Sequence, residues 1–395
     1  MKLESIKLTN FRAFRDAEMR DIPQFCVLVG ANGTGKSTLF SVFDFLKTAL
    51  NENVHIALIR LGGSRGFHEV RSRGTDGPIR IEIKFREKDS SPLVTYTLCI
   101  NEENGAPIVE QEVLKYRRGS RGKPWHFLDF KRGEGEAVVN EPDEVSSEAQ
   151  LQRERQTLKS ADTLAVKGLA QFKKFPAAVA LGELISNWHI SDFHIQSARP
   201  EQEVGYAEHL SREGENLALV TEFLYKRHPD IFSRITEKLK HRVPGITSVD
   251  AKITEEGRVL LRFQDGAFQD PFLARHVSDG TIKMFAYLVL LHDPRPHPLL
   301  CVEEPENQLY PKLLDELAEE FRDYGRRGGQ VFVSTHSPDF LNATELEEVF
   351  WLSKEDGYTR IRRAADDPQI VEYMKNDDKM GYLWKQGFFT GADPR

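Results

Sequence analysis

Residues 25–50 read Phe25-Cys26-Val27-Leu28-Val29, then Gly30-Ala31-Asn32-Gly33-Thr34-Gly35-Lys36-Ser37, then TLFSVFDFLKTAL. The first five residues form an unbroken apolar run, the mark of a strand buried on both faces. In the last stretch Leu39, Val42, Phe43, Leu46 and Leu50 recur at helical spacing. The octet between them fits G-x-x-x-x-G-K-[ST] in full. Its glycines let backbone N–H groups curl around phosphate oxygens, and the helix that follows turns its positive end toward them. In such a loop Lys36 is expected to neutralise the β- and γ-phosphates and Ser37 to hold Mg²⁺. Strand, glycine loop and helix in that order are the context the pattern requires.

Upstream, Ser5 to Thr9 reads as another strand. Downstream, IRIEIKF, VTYTLCI and VEQEVLKY alternate between turn-like segments, so residues 79–140 are expected to form an antiparallel sheet. Residues 145–185 look helical and polar, SNWHISDFHIQ reads as a strand, and 207–240 are expected to be helical. ITSVDAKI and RVLLRFQ make a hairpin. Strands and helices then alternate to the end of the last third, which with the N-terminal unit implies a mainly parallel sheet. Pro311 stands at the start of a helix, a favoured place for it.

Three further stretches carry chemistry. LLCVEE is an apolar strand ending in Glu303 and Glu304. Side chains alternate along a strand, so the two carboxylates face different tasks. Glu303 is expected to serve the metal and Glu304 to act as base or water-orienting group. His336 follows the strand VFVST, a place from which a polar tip reaches a terminal phosphate. Val277-Ser278-Asp279-Gly280-Thr281 opens a helix, with the Ser278 hydroxyl and the Gly280 N–H at its positive end. One nucleotide does not need two such anion sites. Two chains packed head to tail do, each offering this site to the other's ATP.

In this order GANGTGKS, VSDGT, LLCVEEPE and STHS resemble the Walker A, signature, Walker B and switch-histidine motifs of ABC-type ATPases. KLTNFRAF is similar to the opening strand and turn of the SMC, RecF and OLD-nuclease branch. EEPENQLYP followed by THSPDFL resembles bacterial AAA-type ATPases that write the first motif EEPENGLHP. The likeness covers residues 1–50 and about 180–352. It implies an α/β fold: an ABC-ATPase head with a mainly parallel core sheet, an antiparallel β lobe and an inserted helical subdomain. It further implies that Asn32, Gly33, Thr34, Gly35, Lys36, Ser37 and Thr38 bind ATP and Mg²⁺. Ser278 and Gly280 act in trans, Glu304 is catalytic with Lys36 and His336, and Arg12 approaches the phosphates. Glu303 and Gln196, the latter as the Q-loop residue, serve the metal. Two residues depart from the pattern: Glu303 replaces the usual Asp, and Asp279 replaces the middle glycine of the signature.

The expected domain plan is a head over 1–352, divided at 140 and 276, and a C-terminal tail over 353–395. Nothing after His336 is long enough for a Toprim nuclease, and nothing in the middle for an SMC arm, so any nuclease or effector is expected as a separate chain. The expected assembly is a homodimer closed around ATP and released by hydrolysis, acting on DNA or an effector in repair, recombination or phage defence. A transporter's ATPase subunit is the alternative, disfavoured by the long separation of Lys36 from Glu303 and by the lack of LSGGQ. A small-molecule kinase would need neither VSDGT nor His336.

The whole chain has 395 residues, 39% hydrophobic and 29% charged, with a formal net charge of −7. That charge excludes a protein coating nucleic acid with its whole surface, although a local basic patch remains compatible with it. Residues 115–132, KYRRGSRGKPWHFLDFKR, are such a patch, with Tyr116, Trp125 and Phe127 interleaved among Arg117, Arg118, Arg121 and Lys123. They read as a DNA-facing loop or as a solvated hairpin whose aromatics pack on the sheet. GYLWKQGFF near the end reads as self-docking or as a partner site. No apolar run approaches the ~20 residues of a membrane span, the N-terminus lacks the apolar core of a signal peptide, and a cytoplasmic location is expected. Cys26, Cys99 and Cys301 sit in apolar runs without a C-x-x-C pair, so they read as buried small hydrophobes.

Overall fold

The computed structural model describes residues 2–88, 90–117, 123–141 and 147–392. The chain forms two compact units: Met1–Trp188 with Glu345–Arg395, and His189–Thr344.

In the first unit the apolar run becomes the strand Phe25–Val29, buried at every residue. It pairs in parallel with Val349–Glu355, matching Val27 to Val349 and Val29 to Trp351. Tyr358–Arg363 then returns antiparallel beside Val349–Glu355. The helix Lys36–Asn51 buries the expected Leu39, Val42, Phe43, Leu46 and Leu50, and also Phe40, Phe45 and Ala49. Phe45 meets Phe11 edge to face at 5.9 Å, and Phe43 meets Trp188 at 5.3 Å, geometries that ring quadrupoles favour.

An eight-stranded antiparallel sheet makes up much of the rest of this unit. In spatial order it runs Phe14–Met19, Lys2–Phe11, Ile79–Arg86, Val94–Glu103, Ala106–Tyr116, Trp125–Lys131, Glu134–Val138 and Arg153–Thr157. Ile79–Arg86 alternates buried and more open positions, as a sheet with one face on a core requires. Asn104 and Gly105, both at positive φ, join two of its strands in the two-residue turn that matches strand twist.

The expectation of a helical stretch over 145–185 is corrected here. Arg153–Thr157 is an edge strand paired with Glu134–Val138, and among the described residues α-helices cover only Ala165–Leu169 and Pro176–Ser186, with a short 3-10 turn at Glu148–Gln150. RERQT carries no apolar alternation because a sheet edge is kept polar and charged, so the usual strand signal is missing.

The second unit holds three parallel strands, His189–Ser191, Leu300–Glu303 and Val331–Thr335. The helices Asp279–Leu291 and Lys312–Arg326 connect along the chain to these strands. A hairpin of Ile246–Ile253 and Arg258–Asp265 stands beside the helices Leu217–Arg227 and Pro229–Arg242, where the sequence pattern suggests one helical stretch from 207.

The C-terminal residues are part of the first unit. Leu383 and Phe389 are buried, and Phe389 packs edge-on against both Trp351 and Trp384. GYLWKQGFF is therefore self-docked through these residues, leaving Tyr382 exposed. All three cysteines are buried and free. Among the described residues no helix is long and apolar enough to cross a membrane.

Candidate functional site

The glycine loop is built by close approaches that only glycine permits. A Cβ on Gly30 would lie 2.6 Å from Leu352 O and 2.6 Å from Thr34 Oγ1, and one on Gly35 would lie 2.8 Å from Thr359 Oγ1. Gly35 has φ 110° and leads the helix Lys36–Asn51 with no side chain to cap it and no acidic residue in its first turn. Such an end favours an anion. The Lys36 ammonium lies inside the loop, donating to Gly30 O at 2.5 Å and Ala31 O at 3.2 Å. Thr34 Oγ1 donates to Ala31 O, while Thr359 Oγ1 donates to Thr34 O at 2.6 Å. Ala31 N donates to Ala392 O at 2.7 Å, so the C-terminal segment braces the loop. Asn32, Gly33 and Ser37 are exposed, and Thr38 is half-buried. Ser41 Oγ donates to Thr38 O one turn further along the helix.

Arg12 adopts φ 49° in the turn after the first strand. Its guanidinium donates to Leu61 O at 3.1 Å, near the C-terminal end of the helix Val54–Gly62. Burial pushes its pKa below the ordinary arginine value.

In the second unit the strand Leu300–Glu303 delivers Glu303 half-buried at its end. Glu304 follows with φ 41°, a left-handed backbone rarely adopted outside glycine, which turns the chain sharply off the strand. Its N–H still donates to Ser334 O at 2.9 Å. Its carboxylate is held from two sides: Asn307 Nδ2 donates to Oε2 at 2.9 Å, and His336 Nε2 lies 3.2 Å from Oε1. Glu306 fixes the histidine's backbone, accepting from Thr335 Oγ1 at 2.6 Å and from His336 N at 2.9 Å.

Glu303 and Glu304 line a cavity of about 870 Å³ with Asp192, Gln196, Lys283 and Asn307. Gln196 reaches it from an unexpected element. The expected strand ends at Ser191, and Gln196 sits exposed in the short helix Ile195–Ala198. The backbone leaves the parallel ladder because Asp192 N donates to Arg212 O and His194 N to Glu213 O. This corrects the reading of Gln196 as a strand end.

Lys283 was missed by sequence reasoning. It is the one charged residue in the apolar stretch TIKMFAYLVLL, and that isolation was the available signal. Burial lowers its pKa to about 8, against the pull of Glu306, Asp192 and Glu304, and its Nζ donates to Glu304 O at 3.4 Å.

The turn before the helix Asp279–Leu291 is tightly held. Ser278 is its N-cap, its Oγ accepting from Thr281 N at 3.3 Å and lying 2.8 Å from Thr281 Oγ1. Arg199 donates to Ala274 O, Arg275 O and Val277 O and pairs closely with Asp279. The departure at Asp279 thereby has a partner inside the same unit. A Cβ on Gly280 would lie 2.8 Å from Gln308 O, so this glycine admits a passing carbonyl.

The basic segment is described only in part, since Arg118 and Arg121 lie outside the described residues. The rings of Tyr116 and Phe127 stack on each other at 3.8 Å and 3°. Both, with Trp125, pack around Val138 and Leu151. The aromatics of this segment take part in the sheet's own packing, as the hairpin reading expects.

Residues 25–342 match the family described as "AAA domain, putative AbiEii toxin, Type IV TA system". The chain belongs to this family. Its members' AAA domain here extends from the strand before the glycine loop to the helix after His336. The chain is also 34% identical over 121 residues to the DNA double-strand break repair Rad50 ATPase of Pyrococcus abyssi (strain GE5 / Orsay), a match spanning 30% of this chain and 12% of that protein. Its fold is similar to that of an SMC head bound to the C-terminal winged-helix domain of ScpA, with TM-score 0.56 and 12% identity, over 92% of this chain and 98% of that one. A second Smc head with an extended coiled coil, bound to the C-terminal domain of ScpA derived from Pyrococcus furiosus, gives TM-score 0.53 and 13% identity over 94% and 99%. The chain thus carries an AAA domain and has the α/β fold of an SMC head.

Proposed function

We propose that the protein binds ATP with Mg²⁺ and hydrolyses it, using the cycle to close and open a head-to-tail homodimer. The observation that carries this reading is the loop Gly30–Ser37, shaped by obligatory glycines at the start of an uncapped 16-residue helix. Its glycine cradle and lysine fit a nucleotide triphosphate. Asn32, Gly33, Thr34, Gly35, Lys36 and Thr38 hold the nucleotide, with Ser37, Glu303 and Gln196 for the metal, which supplies charge neutralisation when bound. Glu304 orients and deprotonates water, His336 steadies that carboxylate, and Arg12 approaches the phosphates. Ser278 and Gly280 address the partner's nucleotide. In domain terms the head spans 1–352 and the segment 353–395 braces it.

The dimer is proposed to act on DNA or on a separate nuclease or effector protein, in repair or phage defence within the cytoplasm. The support is the kinship with a repair ATPase and the resemblance to SMC heads that are bound to a protein partner. The test is equilibrium binding of labelled ATP with release of free phosphate. Lys36→Ala should lose both binding and turnover. Unchanged turnover in that variant, or transfer of the phosphate to a small acceptor, would overturn the proposal.

A further inference from the structure

Within the second unit, at the end of the parallel strands opposite to Glu303, three metal-ligating side chains converge. His209, Asp293 and His297 each offer a ligand atom, and these atoms all lie within 4.8 Å of one another. His209 comes from a loop before the helix Leu217–Arg227. Asp293 follows the helix Asp279–Leu291, and His297 precedes the strand Leu300–Glu303. Two segments distant in sequence, the loop of His209 and the loop that carries both Asp293 and His297, thus meet at one point.

Their surroundings hold the donors in place. His209 Nδ1 and Asp293 Oδ2 are 2.6 Å apart, and Arg295 N donates to Asp293 Oδ1 at 2.8 Å. The His297 ring is flanked by that of His189, stacked at 4.6 Å and 14°, and by that of His209 at 5.1 Å. Tyr324 Oη donates to His297 O at 3.0 Å. Asn216 Nδ2 donates to His209 O, and its Oδ1 accepts from Ser211 N, which fixes the loop. Such outer contacts are what orient ligands at metal centres. The Asp293 side chain is 5% exposed and that of His209 37%, so a buried carboxylate meets a partly exposed imidazole.

We propose that His209, Asp293 and His297 bind a divalent first-row transition metal ion, of which Zn²⁺ is the representative. Two imidazoles and one carboxylate suit such ions, whereas Mg²⁺ and Ca²⁺ prefer an all-oxygen set. Three protein ligands leave the fourth tetrahedral position to water. The ion takes the place of the direct contact between His209 Nδ1 and Asp293 Oδ2. Bound there, it ties the exit of the helix that Ser278 opens to the entry of the strand that ends in Glu303. Its task is to stiffen this unit, separately from the Mg²⁺ that serves the nucleotide.

The experiment uses the untagged full-length protein, stripped with chelator and then titrated with Zn²⁺ and with Co²⁺ in the absence of nucleotide. The expected result is one equivalent of metal per chain, a visible d–d absorption with Co²⁺, and a raised melting temperature with Zn²⁺. His209→Ala, at a part-exposed position, should weaken binding at least about tenfold, the low end for disturbing a metal site. Asp293→Asn keeps the side chain's shape and should do the same. Failure of the wild type to bind one equivalent, or binding unchanged in both variants, would overturn the proposal.

Discussion

Glu304 Oε1 lies 3.2 Å from His336 Nε2 while Asn307 Nδ2 holds Oε2 at 2.9 Å. The carboxylate at the end of the Leu300–Glu303 strand is therefore positioned from both sides before any substrate geometry is considered. Glu304→Gln keeps the shape and removes the base. It should leave ATP affinity within a few-fold and lower turnover by about 10²–10⁴-fold, the usual contribution of a positioned general base. His336→Ala should give a smaller loss in kcat with little change in KM. Equal loss of nucleotide binding in Glu304→Gln would contradict the assignment.

Lys283 makes a prediction about pH. Its pKa in the folded protein is about 8, against 10.5 for the free side chain. Below pH 8 both states carry the proton, and the folded state bears the full cost of burying the charge. Between 8 and 10.5 the unfolded state binds more protons, so this group's contribution makes stability rise with pH. Lys283→Met should then raise the melting temperature at pH 7, and its advantage should shrink as the pH approaches 10. A tenfold difference in proton affinity between the folded and unfolded states corresponds to about 1.4 kcal/mol. Thermal melts of both proteins across this range decide it, and an advantage independent of pH would refute it. Because Lys283 also meets Glu304 O, the variant should turn over ATP more slowly.

Gly280 and Ser278 separate local stability from assembly. Gly280→Ala forces a Cβ toward Gln308 O and should lower the melting temperature. Ser278→Ala removes an N-cap and should cost about 1 kcal/mol. Ser278→Arg should block ATP-dependent dimers in the Glu304→Gln background while monomeric ATP binding persists. Ultracentrifugation with and without ATP reads this directly. A dimer that forms without ATP and ignores Ser278→Arg would point to another interface.

The legible parts of this molecule were those where local pattern and tertiary role coincide. Phe25–Val29 is apolar throughout and Val331–Thr335 opens on three apolar residues because both faces are covered, so the residues themselves announce buried strands. Glu304, Asn307 and Glu306 were all visible in EEPEN, yet only the left-handed turn at Glu304 makes neighbours of Asn307 and His336. Arg153–Thr157 was illegible for the opposite reason. An edge strand gains its place from one partner's backbone, and its side chains advertise solvent. The path after Ser191 was hidden as well, because backbone pairing of Asp192 with Arg212 and of His194 with Glu213 has no side-chain signature.

Glu112 is a second buried ionisable group, and its sign is opposite to that of Lys283. It lies fully buried on the strand Ala106–Tyr116, accepting from Ala165 N, Val166 N and Tyr96 Oη. Those donors favour the charged carboxylate, but burial outweighs them and raises its pKa to about 7 from 4.5. Between pH 4.5 and 7 the folded state therefore holds a proton that the unfolded state has released. This group's contribution is present in full below pH 4.5 and is lost as pH rises through 7. Glu112→Gln keeps an acceptor for the N–H groups at the start of the helix Ala165–Leu169 and cannot titrate. The difference in unfolding free energy between wild type and Glu112→Gln, measured by denaturant titration from pH 4.5 to 8, should move steadily against the wild type up to about pH 7 and then level off. A difference that stays flat across this range would show that Glu112 is ionised in the folded protein throughout, with its three donors outweighing the cost of burial.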